Sequence, residues 1–361
     1  MENEQLLMQL INNIKGIDAQ AAAKASAHVD MLTKPPGSLG KLEELVIRLA
    51  GMTGEVRPSF ERRSVIVMAA DHGVVEEGIS AFPAEVTPQM VMNFLAGGAA
   101  VNVLSRHAGA EVVCVDIGVN ADLKHPGLVS RNIRKGTANM AKGAAMTREQ
   151  AIQAIITGVD VVHAEVEKGS RLFVTGEMGI GNTTASAAVV CALTGIAPAA
   201  AVGRGTGMDD AGVLHKAAVV GQALSLNAPN GDDPLDVLSK VGGLEIAGLV
   251  GVILAAAAHG CPVVVDGFIS TAAALIASRL APLSKEYMIA SHTSHENGHA
   301  ALLRELDLKP MLDLDMRLGE GTGGVLSLHL IDAACRILNE MATFASAGVS
   351  DGSSAQGEGT R

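Results

Sequence analysis

Apolar residues gather in five short β-rich runs, at 64–69, 111–117, 171–175, 262–266 and 286–290. Each run is followed by a polar or glycine-containing turn and then by apolar positions at helical spacing. That alternation predicts the repeating βα unit of a parallel sheet. A weaker run at 199–202 is expected to add a sixth strand. Ligands of an open parallel sheet bind beyond the carboxyl ends of its strands. The residues singled out by this rule are Asp71 and His72, Asp116 and Gly118, Gly176 and Glu177, Asp266 and Gly267, and Ser291 and His292.

Outside these runs the pattern is helical. Before position 64, helices are interrupted by the stiff loop KPPGSLG at 34–40, whose two prolines cannot sit inside a helix. After Gly324 an amphipathic helix is expected to about position 345. The organisation expected is therefore a small helical domain from 1–60 and 325–345, and a large α/β domain from 61–324. Residues 346–361 are too polar and too rich in Gly and Ser to offset their ordering entropy, and are expected to form a mobile tail. The apolar stretch 246–265 resembles a membrane span in length, but Gly260, Cys261 and Pro262 punctuate it. A buried helix ending near His259, a turn and a parallel strand fit it better.

Composition refines the picture. Of 361 residues 48% are hydrophobic yet only 2% aromatic, so the core must be filled by Ala, Val, Leu, Ile and Met, with Gly allowing close helix approach. A formal charge of −11 argues against a nucleic-acid or anionic-membrane partner, since both require a positive field. A small anion remains compatible, because local amides and one lysine suffice to hold it. Cys114, Cys191, Cys261 and Cys335 are scattered without CxxC or Cys/His spacing, as in a reducing compartment with no metal centre. The polar, amphipathic opening MENEQLLMQLINNIKG carries no secretory pattern, and a cytoplasmic location is expected.

Three segments carry candidate chemistry. TGEMGIGNTT at 175–184 follows a predicted strand and opens a predicted helix, where glycines let amides approach an anion and the helix N-terminus adds partial positive charge. Neither GxGxxG spacing nor a Walker lysine is present, and the alternative is an ordinary βα turn capped by Asn182 or Thr183. GRGTG at 203–207, followed by Lys216, suits one phosphomonoester, or is a surface loop with a solvated lysine. MRLGEGTGG at 316–324 sets Glu320 between glycines, either as a carboxylate desolvated enough to act as a general base or as an exposed turn residue.

Seven strings in order, KPPGSLG (34–40), ADHGV (70–74), GEMGIGNTT (176–184), DVLSKVGG (236–243), DGF (266–268), SH (291–292) and MRLGEG (316–321), are similar to the nicotinate-nucleotide:dimethylbenzimidazole phosphoribosyltransferases of cobalamin biosynthesis. The resemblance spans about 34–345. It implies a Rossmann-like α/β sheet flanked by helices, a homodimer, and transfer of phosphoribose from nicotinate mononucleotide to dimethylbenzimidazole without metal or cofactor. It further implies Glu320 as general base and Glu177 as a supporting acid. Gly176, Gly179, Gly181, Asn182, Gly203, Gly205, Lys216, Asp266 and Ser291 would hold the nucleotide's ribose and phosphate. Ser80, Phe82, Gln89, Met90 and Leu318 would wall the base.

Three other readings compete. VVVDGFIST at 263–271 superficially resembles the acidic loop of phosphoribosyltransferases that use the pyrophosphate donor, although Gly267 stands where a second acid belongs. A non-catalytic nucleotide-binding module would need only the glycine turns. The same chemistry with another benzimidazole, adenine or a phenol as acceptor is the third.

Overall fold

The computed structural model describes residues 2–205 and 207–350. These divide into two compact units, one containing residues up to Gly16 and Glu61–Ser327, the other Ile17–Phe60 and residues from Leu328 onward. The break between Phe60 and Glu61 falls where it is expected, and the units differ from the expected domains in two places. The first helix, Glu2–Asn13, belongs to the sheet-containing unit, because its apolar face, with Leu7 buried, packs on the Arg148–Glu167 and Leu244–Ala258 helices. The second division falls within the Thr322–Glu340 helix.

Among the described residues six strands form one parallel sheet: β1 (Arg63–Ala70), β2 (Glu111–Gly118), β3 (Val129–Ser130), β4 (Leu172–Met178), β5 (Val263–Val265) and β6 (Met288–Ala290). Their order, β3-β2-β1-β4-β5-β6, is the doubly wound Rossmann order. All five stronger runs are strands. The run at 199–202 is not: Pro198–Ala201 is a helical turn, in keeping with a proline that lacks an N–H and suits the first helical position. The two-residue edge strand β3 has no alternation long enough to read.

Small residues let the layers close. The Leu244–Ala258 helix is buried along nearly its whole length between the sheet and the Arg148–Glu167 helix. The two helices meet backbone to backbone: a Cβ added at Gly158 would lie 2.0 Å from the Gly248 carbonyl oxygen, and one at Gly251 would lie 1.9 Å from that of Ile155. The buried helix ends at His259, Gly260 turns the chain at φ +65°, and β5 follows. Among the described residues no helix is long and apolar enough to cross a membrane. Tyr287, the sole tyrosine, is buried beside β6 and donates its hydroxyl to the Lys15 carbonyl at 3.1 Å.

In the second unit the Ala19–Met31 and Lys41–Thr53 helices pack together. The proline-containing loop between them is knitted by Glu43, whose carboxylate accepts from Leu39 N (2.9 Å), Gly37 N (3.2 Å) and Lys34 Nζ (2.8 Å). KPPGSLG thus has a structural role here. Ser346 and Ala347, expected in the mobile tail, belong instead to the short Phe344–Ala347 helix, fixed by a capping box between Thr343 and Ser346. The tail expectation from 351 onward lies outside the described residues.

Candidate active site

The strand order reverses between β1 and β4, and a cavity of about 690 Å³ opens beyond their carboxyl ends. This is the topological switch point at which open sheets bind ligands, and the volume is in the range of small-molecule sites. Glu177, Gly179, Gly181 and Asn182 line it from the β4 turn, and Leu318 and Glu320 from the turn before the last long helix. Ser80, Phe82 and Met90 line it from the segment after β1, joined by Ile79 and Val86.

Glu320 is held by an unusual backbone. Gly319, Glu320 and Gly321 have φ of +82°, +63° and +90°, a run of left-handed residues that only glycine neighbours make accessible. Asp266 anchors this turn, accepting the Gly321 N–H at 3.1 Å and the Gly324 N–H at 2.9 Å, while Glu177 accepts the Glu320 N–H at 3.3 Å. Gly176 lets the turn lie directly on β4, since a Cβ there would sit 2.6 Å from the Glu320 carbonyl oxygen. The Glu320 carboxyl is buried, and its Oε2 has no hydrogen-bond partner. Burial, reinforced by the charge of Asp266 and opposed by the Val101 amide, pushes its pKa up to about 7.

Glu177 is pushed up to about 8, first by burial and then by the negative charges of Asp266, Glu245 and Glu320. Asn182 donates to its Oε2. The helix Asn182–Thr194 is capped by neither Asn182 nor Thr183: its cap is Gly181, with φ +96° and no side-chain oxygen over the first turn. Asn182 is free to serve Glu177 for that reason.

The two glycine segments meet at one end of the cavity. Lys216, fully buried, donates from Nζ to Thr183 Oγ1 at 2.6 Å, and burial lowers its pKa to about 8. Gly205 lies against this contact, its Cβ position 3.0 Å from Lys216 Nζ. The Gly205 N–H already donates to Glu296 Oε1 at 3.0 Å, and Gly203 packs on the other oxygen of that carboxylate. Arg317 reaches the Gly205 carbonyl at 3.3 Å and lines the same wall.

Several residues singled out in the sequence stand behind the lining. Gly176, Gly203, Lys216 and Asp266 support residues that line it, as described. Ser291 is fully buried and donates to the Asp266 carbonyl at 2.9 Å. Gln89 is exposed on the Val86–Leu95 helix and does not line the cavity. Thr183, named in the sequence only as a possible cap, lines it, as do Ser294, Glu296 and Arg317, which were not singled out. Ser294 and Glu296 sit deeper in the polar loop after β6 than the two strand-end residues considered, and Arg317 was passed over beside Glu320 in the same string. Among the described residues no group of three or more His, Cys, Asp or Glu side chains is placed to hold a metal ion.

Fold order, glycine turns at the switch point and a buried carboxylate pair beside a cavity are the features of an α/β enzyme that works on a small molecule. A family model described as phosphoribosyltransferase matches residues 14–349, and the chain belongs to this family. Among similar proteins, the nicotinate-nucleotide-dimethylbenzimidazole phosphoribosyltransferase of Chloroflexus aggregans is 62% identical over 347 residues, covering 96% of this chain and 98% of the relative. Its counterpart from Roseiflexus sp. (strain RS-1) is 56% identical over 346 residues, covering 96% and 98%. A crystal structure of the enzyme so named from Thermus thermophilus matches with a TM-score of 0.88 at 48% identity, covering 93% of this chain and 100% of that one.

Proposed function

We propose that this enzyme transfers the phosphoribosyl group of nicotinate mononucleotide to 5,6-dimethylbenzimidazole, releasing nicotinate and α-ribazole 5'-phosphate, with Glu320 as the general base. The observation that carries the reading is a buried, glycine-flanked carboxylate with one unpartnered oxygen, lining a cavity large enough for two rings and a sugar.

The chemistry asks little else of the protein. The pyridinium leaving group already bears positive charge on its glycosidic nitrogen, so cleavage leaves that ring nitrogen neutral and needs no proton donor. The acceptor differs: as one benzimidazole nitrogen attacks the anomeric carbon, the proton on the other becomes acidic. A carboxylate at that nitrogen stabilises the growing charge and takes the proton. Attack opposite nicotinate inverts the centre and yields the α-riboside. Placing two rings on opposite faces of one ribose is mainly a positioning task, which contributes roughly 7–11 kcal/mol when the geometry is well held. Phe82, Met90 and Leu318 supply apolar wall for the acceptor ring. Thr183, Gly181 and Arg317, backed by Lys216, supply the donors for phosphate, with Glu177 and Asn182 between the two ends.

Incubation of the purified protein with nicotinate mononucleotide and a panel of bases, without added metal, is expected to give α-ribazole phosphate by mass spectrometry, with dimethylbenzimidazole preferred over adenine and phenols. No nicotinate release with any base would end this reading. Lys216→Ala is expected to weaken donor binding because it removes the charged hydrogen bond, worth roughly 1.5–3 kcal/mol, that positions Thr183 Oγ1; calorimetry showing an unchanged dissociation constant would remove lysine from the support of the phosphate end. The resemblance also supports a homodimer, to be checked by light scattering, and the net charge of −11 speaks against a nucleic-acid partner. Four cysteines, all buried and none in a disulfide, support a cytoplasmic setting.

A further inference from the structure

Ser291 and His292 were singled out together, yet only His292 lines the cavity. A chain of hydrogen bonds explains the pairing. The Ser291 hydroxyl donates to the Asp266 carbonyl at 2.9 Å, which uses its single proton. Toward His292 Nδ1, also 2.9 Å away, Ser291 Oγ can therefore only accept. The proton of that bond must sit on Nδ1, and the Asp266 carboxylate, 3.9 Å from the same nitrogen, favours it there. Gly323 makes room for this edge of the ring, since a Cβ at that position would lie 2.0 Å from Nδ1. The opposite edge, Cε1 and Nε2, is turned toward Gly267, at 3.5 and 3.7 Å from its Cβ position, and Gly267 also lines the cavity.

The neighbouring His299 is occupied differently. Its Nδ1 accepts the Ser294 N–H at 2.8 Å, so its proton is on Nε2, facing Thr271 Oγ1 at 3.0 Å. Thr271 in turn donates to the Gly267 carbonyl at 2.7 Å. His299 is thus consumed within the fold, and His292 alone of the two offers a nitrogen to a ligand.

An imidazole with its proton fixed on Nδ1 presents a lone pair at Nε2 and seeks a donor. On the two proposed substrates donors are few. The phosphate and the nicotinate carboxylate are anions, and the benzimidazole N–H is taken by Glu320. Only the ribose hydroxyls remain. We propose that His292 Nε2 accepts a hydrogen bond from one ribose hydroxyl of the donor nucleotide, and that Ser291 is the positioning residue that fixes the tautomer. The proposal rests on the phosphoribosyl-transfer reading above.

Two measurements on the full chain test it. Nitrogen-15 spectra of the imidazoles, with His292 assigned by its loss in His292→Gln, are expected to show Nδ1 protonated in the wild type and a tautomer mixture in Ser291→Ala. A wild-type Nε2–H signal, or no change in Ser291→Ala, overturns the assignment whether or not the protein turns over. Separately, His292→Ala is expected to raise the dissociation constant of nicotinate mononucleotide about tenfold, the worth of one hydrogen bond. Of the 2'-deoxy and 3'-deoxy nucleotides, the one lacking the contacted hydroxyl should bind the wild type about tenfold more weakly and His292→Ala no more weakly still, while the other should keep the tenfold difference between wild type and variant. Equal losses for both analogues, or none, would refute the contact. Failure of the wild type to release nicotinate while the nucleotide still binds would count against the transferase reading and not against the tautomer.

Discussion

Glu320→Gln is expected to bind nicotinate mononucleotide as the wild type does and to turn over about 10²- to 10⁴-fold more slowly, the usual worth of a positioned base. Turnover of the wild type at saturating donor should rise with pH through about 7, because burial holds the Glu320 proton to that value and only the ionised form can accept another. The variant should lose this limb along with its rate, and stopped assays across pH 5.5–8.5 would record both, saturation removing the separate titration of the donor phosphate. Undiminished turnover in the variant would sink the assignment. Loss of folding is not the expected cause of its inactivity. A carboxyl whose pKa is raised in the folded state holds its proton more tightly there than in the unfolded chain, so its contribution to stability is present below about 4.5 and lost as pH rises toward 7. Glutamine has no such loss, and the variant should melt no earlier than the wild type at pH 8.

Gly251→Val is expected to fail on stability, with activity lost only as a consequence. The first atom of any side chain at this position would fall 1.9 Å from the Ile155 carbonyl oxygen, and Gly158 meets Gly248 as tightly on the other helix. No rotamer relieves a backbone collision, so the two helices must separate along a contact that covers the sheet. Overpacking of a core costs about 1–3 kcal/mol even where side chains can shift. At about 2–4 °C per kcal/mol for a large domain, the melting temperature should fall by roughly 10 °C or the protein should be insoluble. A variant melting with the wild type would show that this crossing tolerates a wider spacing.

The fold was legible where local pattern and tertiary role coincide. Strands β1, β2, β4, β5 and β6 lie in a sheet covered by helices, so they read as apolar runs, and the scarcity of aromatics pointed to the glycine-mediated helix contact. Positions 199–202 misled because a short apolar run has no period to separate strand from helix, and Pro198 decided it. Of the site, Glu177 and Glu320 could be found one by one from their glycine neighbours. Their sharing of one site is implied by the resemblance alone and not by spacing, since it depends on the tertiary fold that brings 177 beside 320. Ser291 is set against the nucleotide by the resemblance and picked out by its place at a strand end; its burial and its hydrogen bond to a carbonyl 25 positions earlier are tertiary facts. Glu296 escaped notice as a lone acid in a polar loop whose burial only the folded chain creates.

The chain has no tryptophan, and its one phenol is tied to the carbonyl of Lys15. Excited at wavelengths that its six phenylalanines do not absorb, the unlabelled protein therefore emits from a single known place, where the first helical segment joins the sheet. A melting curve read from that emission would follow release of this segment, and any difference from a curve read by circular dichroism would measure how far the amino-terminal helix detaches ahead of the rest. The same optical silence leaves the absorption of benzimidazole substrates unobscured, so their binding can be titrated directly.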